Sequence, residues 1–121
     1  MTATSANRAE IEYAAMLAVL NFQTEFMGSH YTHAQVHLVE DLIEVVLKRT
    51  TSIPAEDRLA QSTEGRALLQ QAHQSLFASG ERRLREQLER ELGLHVRHLF
   101  SHLDGVAGTT TIIIKLADPL G

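Results

Sequence analysis

Histidines are the residues of this chain whose chemistry is most accessible near neutral pH, and the sequence contains seven. His33 and His37 are separated by four positions, as are His98 and His102. On an extended strand such residues lie about 13 Å apart, so neither pair chelates one metal ion without a neighbouring carboxylate such as Glu44. We therefore predict no metal site. Because imidazole titrates near neutrality, His33 and His37, together with Glu44, are instead candidates for a pH-sensing interface.

A predicted helix start supplies the second candidate site. Exposed N–H groups in its first turn, with Arg66 beside them, could hold phosphate, carboxylate or bicarbonate. The alternative is a purely structural cap, in which Glu64 complements the helix dipole, Gly65 allows close packing and Arg66 pairs with Glu56 or Asp57. The candidate anion-binding residues are Thr63, Glu64, Gly65 and Arg66.

Motifs of the common enzyme classes are missing from the sequence. It has no glycine-rich phosphate loop, no nucleophile elbow and no helical His-Glu-x-x-His pattern. It contains no cysteine, which excludes disulfides, thiolate zinc sites, iron–sulfur clusters and a cysteine nucleophile. The formal charge of −4 argues against nucleic-acid binding, which needs a basic surface. We therefore predict a non-catalytic protein that needs no cofactor.

The helical periodicity in the middle of the chain predicts the elements that position the second site. Residues 54 to 60 read as a short helical turn, because a proline suits its first position and two acidic residues follow. A long amphipathic helix then starts at Ser62 or Thr63 and ends at Gly93. Gly80, in its middle, costs about 1 kcal/mol of helix propensity and predicts a kink or break there.

The first helix is predicted from about Arg8 to a stop at Gly28, with more apolar surface than one small sheet can cover. A helix that is apolar on two sides needs two partners, which favours a homodimer that uses this helix. In the alternative, the long central helix covers the second apolar side of the first helix within one subunit. The candidate interface residues on this helix are Tyr13, Leu17 and Leu20.

Residues 32 to 48 alternate between apolar and polar side chains, as expected of a β-hairpin with one buried face. A turn at Glu40 and Asp41 places His37 opposite Glu44 on the solvated face. The same register sets His33 opposite Lys48.

Two further strands are predicted at residues 94 to 102 and 109 to 116, joined by a glycine-containing loop. Val96 and Phe100 are expected to share one apolar face of the first of these strands. The whole chain, residues 1 to 121, then forms a single α+β domain in the order α-β-β-α-β-β. We expect an antiparallel four-stranded sheet with two main helices on one face, and disorder in residues 1 to 7.

Several short motifs occur in a characteristic order along this pattern. They are Phe26-Met27-Gly28, Pro54-Ala55-Glu56, Leu59-Ala60 and Thr63-Glu64-Gly65-Arg66. Followed by a long amphipathic helix, a glycine and two final strands, they resemble the MpsC family, named for bacterial sodium-translocating, membrane potential-generating systems. The resemblance covers nearly the whole chain. It implies a small soluble protein, associated with membrane systems that move cations or inorganic carbon, and it supplies no established catalytic residues.

The sequence therefore favours a cytoplasmic, homodimeric accessory or regulatory protein that docks to a membrane transport protein. The longest apolar run, Ala14 to Leu20, is far shorter than the roughly 18 residues that span a bilayer, and the N-terminus lacks a signal-peptide pattern. The alternative is a small-anion or metal-binding sensor. Its dimer cleft would be lined by His33, His37 and Arg66.

Overall fold

The computed structural model describes residues 8–29, 31–49, 53–104 and 106–117. The predicted disorder of residues 1 to 7 lies outside these ranges. The four strands form one antiparallel sheet in the order β1-β2-β4-β3, which confirms the α+β prediction. The elements are α1 (Arg8–Phe22), a π-helical turn (Gln23–Met27), β1 (His33–Val39), β2 (Leu42–Lys48), α2 (Pro54–Leu59), α3 (Thr63–Leu92), β3 (Val96–Asp104) and β4 (Thr109–Leu116).

The hydrophobic core lies between the sheet and the two long helices, which cover the same face of the sheet. Alternate residues of β2 and β4 point into it, and burying each such aliphatic side chain contributes about 1.5–3 kcal/mol. The predicted placement of both helices on one face is therefore confirmed. The largest fully buried aliphatic and aromatic side chains are Phe22, Ile43, Leu47, Leu84, Leu88, Ile112, Ile114 and Leu116.

The β1–β2 hairpin has the predicted register, with Val39 paired to Leu42 across the turn. Glu40 adopts a left-handed conformation with a φ of 55°, which costs a non-glycine residue about 1 kcal/mol. The adjacent Asp41 is held by β4, since its carbonyl accepts the backbone N–H of Leu116 at 2.8 Å. Contact with the neighbouring strand therefore supports a turn whose residues are not favoured locally.

Of the kink or break predicted at Gly80, the break is wrong, because α3 runs without interruption from Thr63 to Leu92. Gly80 is buried, and a Cβ atom there would overlap the ring of Phe26. Glycine at this position lets the π-helical turn pack directly on α3, and this contact outweighs the propensity cost of about 1 kcal/mol. The predicted helix ends are confirmed, since Gly28 and Gly93 are both left-handed C-caps.

The prediction that Val96 and Phe100 share a face is also wrong. The pairing of β3 with β4 shifts between Val96 and His98, so one extra residue enters the strand there. Beyond this bulge Leu99 and Ser101 point into the core, whereas Phe100 is 56% exposed. The bulge therefore moves a large aromatic side chain to the face of the sheet opposite the helices.

Candidate functional site

The four candidate anion-binding residues form a well-satisfied helix cap. Ser62 Oγ accepts the backbone N–H of Gly65 at 2.9 Å, and its carbonyl accepts that of Arg66 at 3.0 Å. The guanidinium of Arg66 donates to the carbonyl of Ala60 at 2.8 Å and to Thr63 Oγ1 at 3.3 Å. Much of the hydrogen-bonding capacity that an anion would use is therefore directed at the chain itself.

Close packing explains the glycine in this segment. A Cβ atom on Gly65 would overlap the backbone carbonyl of Leu59, so only glycine fits between α2 and α3. Arg66 bonds Ala60 and Thr63, whereas Glu56, one of its expected partners, pairs with Arg49 at 2.8 Å. The cap and the close packing at Gly65 agree with the structural alternative, whereas Glu56 pairs with Arg49 instead of Arg66. Anion binding at residues 63 to 66 stays a prediction.

His33, His37 and Glu44 lie on the outer face of the sheet, defined here as the face opposite the helices. The strand register sets His37 beside Glu44 and His33 beside Lys48, as predicted. The outer face consists of His33, Gln35, His37 and Val39 of β1, Leu42, Glu44, Val46 and Lys48 of β2, Thr109, Thr111, Ile113 and Lys115 of β4, and His98, Phe100, His102 and Asp104 of β3.

Five of the sixteen residues of this outer face are apolar. Phe100 and Val39 are 56% and 62% exposed, and Leu42 is exposed as well. In the strand register Phe100 is the neighbour of Ile113, and Glu44 lies on the other side of Ile113. The other side of the same sheet is packed against helices, so the outer face is the part of the sheet that offers apolar surface to another molecule.

The backbone edges of the sheet, in contrast, are partly covered by helix side chains. Glu12 of α1 accepts the backbone N–H of Leu38 on β1 at 2.8 Å. Along β3, backbone groups between residues 96 and 103 bond to α3 side chains, namely those of Gln70, Gln74, Arg85 and Glu89. Such bonds hinder the addition of a further strand at either edge.

Arg66 and the histidines of β1 do not converge within one chain. Arg66 lines a shallow depression with His102 and Asp104, near β3, whereas His33 and His37 are on β1 at the opposite edge of the sheet. Three strand spacings separate β1 from β3, about 14 Å. Among the residues that the structure describes, no group of three or more histidine, aspartate or glutamate side chains could hold a metal ion.

The three α1 candidates differ in exposure. Tyr13 and Leu17 are 59% and 40% exposed, whereas Leu20 is partly buried against the core. The second apolar side of α1 is therefore covered within the subunit at Leu20 and left uncovered at Tyr13 and Leu17.

A cavity with both polar and apolar walls, which no local sequence pattern predicts, lies where α2, α3 and the ends of several strands meet. Its volume is about 180 Å³, and its polar lining includes Ser29, Tyr31, Arg49, Glu56 and His73. These residues come from four separate stretches of the chain, so no single local spacing connects them.

Arg49 is the most constrained charged group of this cavity. Its side chain is only 12% exposed, and its Nη2 donates to Glu56 Oε1 at 2.8 Å. The guanidinium carbon lies 5.9 Å from the centre of the Tyr31 ring, and Tyr31 is itself held by a hydrogen bond of 2.6 Å to Thr110 Oγ1. The guanidinium is thus fixed by an aromatic face and one carboxylate.

His73 is the buried imidazole at the cavity wall. Its Nε2 lies 2.5 Å from Ser101 Oγ, and its ring stacks on Phe77. Burial lowers the pKa of His73 below the ordinary histidine value, and the charge of nearby His102 lowers it further. His73 is therefore neutral at pH 7 and can both donate and accept hydrogen bonds.

Comparison with known protein families identifies the chain. The family model described as "Na+-translocating membrane potential-generating system (MpsC)" matches residues 7–118, nearly the whole sequence. The chain belongs to the MpsC family. Neither a curated protein nor a solved structure gives a significant match. In the described part of this MpsC-family chain, no helix is both long and apolar enough to cross a membrane.

Proposed function

We propose that this MpsC-family chain is a non-catalytic accessory or regulatory subunit of a sodium-translocating, membrane potential-generating system. It works in the cytoplasm as a homodimer docked to a membrane component that moves cations or inorganic carbon. The family description supports the link to such a system. The observation that carries a binding role is the outer face, with its exposed Phe100, Val39 and Leu42.

A second copy of the chain is the occupant that best fits the outer face. The face carries Glu44 and Asp104 against Lys48 and Lys115, so its formal charge is zero with neutral histidines. The whole sequence has 11 basic and 15 acidic residues, and removing two of each leaves 9 and 13, so the charge of −4 resides elsewhere. Two copies can therefore bring these strand residues together without net charge repulsion. Lys48 of each copy can meet an acidic group of the other, whereas Lys115 pairs with Asp41 of its own chain at 3.5 Å.

The dimensions of the outer face also suit a dimer. Four strands spaced by about 4.8 Å, each about 25 Å long, give a flat area of about 500 Å². Side chains add to the accessible area, which brings it near the roughly 600 Å² per partner of small specific interfaces. The helix side chains along the sheet edges favour contact through the face over pairing through an edge.

The proposed function is tested in cells whose membrane system includes this chain. Deleting the chain is expected to lower the sodium-dependent membrane potential, measured with a voltage-sensitive dye, and the wild-type chain should restore it. A Phe100→Asp chain, expressed at the same level, should restore less. An unchanged potential in the deletion strain would reject the accessory role.

A further inference from the structure

The cavity beside Arg49 is large enough to hold a small ligand. Its volume of about 180 Å³ exceeds several times the roughly 30 Å³ that one water molecule occupies in the liquid. The space can therefore hold a small organic or inorganic molecule with several heavy atoms.

The hydrogen-bonding capacity of Arg49 indicates the charge of that molecule. A guanidinium carries five N–H donors in a planar fork, and among the described residues one hydrogen bond of Arg49, to Glu56, uses this fork. The guanidinium carbon lies over the Tyr31 ring at 5.9 Å from its centre, so the ring occupies one side of the group. Carboxylates and phosphates bind a guanidinium best through its N–H fork.

The partners of the Arg49–Glu56 ion pair differ in how firmly they are placed. Arg49 follows directly after β2 and its side chain is 12% exposed, whereas the Glu56 side chain is 34% exposed. Glu56 belongs to α2, a helix of six residues without a buried residue. Glu56 can turn towards solvent at low cost, whereas Arg49 cannot. An incoming anion can thus replace the carboxylate of Glu56, whereas an incoming cation would meet a fixed positive charge.

Neutral donors complete the cavity. His73 uses Nε2 with Ser101, so its other ring nitrogen is the one that can serve a ligand. Ser29 adds a hydroxyl group to the lining. A neutral imidazole and a hydroxyl can donate to ligand oxygens without adding charge.

We propose that this cavity binds a small oxyanion, either a carboxylate or a phosphate, through the guanidinium of Arg49, with Glu56 as the internal carboxylate that competes for it. The site is separate from the outer face and stands independently of the accessory role. It also differs from the predicted anion site at residues 63 to 66, where Arg66 is bonded to backbone and hydroxyl oxygens.

Titration of the full chain with sodium acetate and, separately, sodium phosphate at constant ionic strength tests this proposal. The readouts are the NMR signals of Arg49 Nε–H and the His73 ring. We expect saturable shifts at millimolar concentration, consistent with a binding free energy of about −4 kcal/mol. The ligand that saturates at the lower concentration identifies the preferred oxyanion class.

Two substitutions of the ion pair give the decisive comparison. Glu56→Gln removes the competing carboxylate and should tighten binding about tenfold. Arg49→Lys keeps the charge, loses the fork and should weaken binding by at least about tenfold. Glu81→Gln is the matched control, since Glu81 pairs with Arg85 at 3.1 Å on α3, and it should leave binding unchanged.

Three outcomes would overturn the proposal. The first is the absence of a saturable shift up to about 50 mM of either anion, which would mean weaker binding than about −2 kcal/mol. The second is loss of binding in Glu56→Gln. The third is unchanged binding in a folded Arg49→Lys chain. If Arg49→Lys fails to fold, the sign of the Glu56→Gln effect decides alone.

Discussion

The two faces of the sheet use the same strands and have opposite surroundings. On the inner face Ile112 and Ile114 are completely buried, whereas on the outer face Phe100 is more than half exposed. Ile113, between the two buried isoleucines, points outward. Helices cover the inner face, whereas the residues that the structure describes leave most of the outer face exposed to solvent. The difference indicates that the inner face determines the fold, whereas the outer face is the surface through which we propose that the chain associates.

The largest expected effect is a difference in stability loss between an inner-face and an outer-face isoleucine of the run Ile112 to Ile114. Ile114→Ala should lower the free energy of unfolding by about 3 kcal/mol, because a fully buried side chain leaves a cavity. Ile113→Ala should cost below about 1 kcal/mol in the monomer, since this position is partly exposed. Urea denaturation of both variants at low protein concentration makes the comparison. Equal losses would mean that the two faces are buried alike.

The next effect is the pH dependence of association. Protonated histidines would add positive charge to both outer faces, so lowering the pH from 8 to 5.5 should weaken the dimer about tenfold. On this face His33 is beside Lys48 and His37 beside Glu44, which partly offsets the charge of His37. Across the sheet His98 neighbours Lys115, and His102 neighbours Thr111 and contacts Gln70.

The double substitution His33→Gln and His37→Gln should reduce this pH effect, and a dissociation constant that stays flat between pH 5.5 and 8 would reject the histidine interface. Gln35→Ala, on the same strand face, is the matched control without a titratable group.

A smaller effect is expected from the histidine on the inner side. Burial lowers the pKa of His73 in the folded state, so the unfolded chain binds its proton more tightly. The contribution of His73 to stability is thus complete above the ordinary histidine pKa of about 6.5 and is lost as the pH falls below it. His73→Gln should flatten the fall in unfolding free energy between pH 7 and 5. An identical pH profile for His73→Gln and the wild type would contradict this account.

Local sequence patterns were sufficient to predict part of the fold. The register of the first hairpin followed from the alternation on both sides of Glu40, and the ends of the long helices followed from Gly28 and Gly93. Each of these features depends on neighbours in sequence, whose side-chain periods are fixed by strand and helix geometry.

Features that depend on distant contacts were not predictable in this way. Gly80 reads as a helix breaker until Phe26 is found against it, and the bulge before His98 depends on the pairing of β3 with β4. The cavity at Arg49 is assembled from separate segments, so the sequence offered no spacing to detect it.

The most direct test is sedimentation equilibrium of the wild-type chain beside three variants, Phe100→Asp, Tyr13→Asp and Leu68→Asp. Leu68 is the matched control, because it is 57% exposed on α3, away from the outer face. We expect the wild type and Leu68→Asp to be dimers and Phe100→Asp to be a folded monomer. A monomeric wild type, or a Phe100→Asp chain that remains dimeric while Tyr13→Asp does not, would contradict association through the outer face.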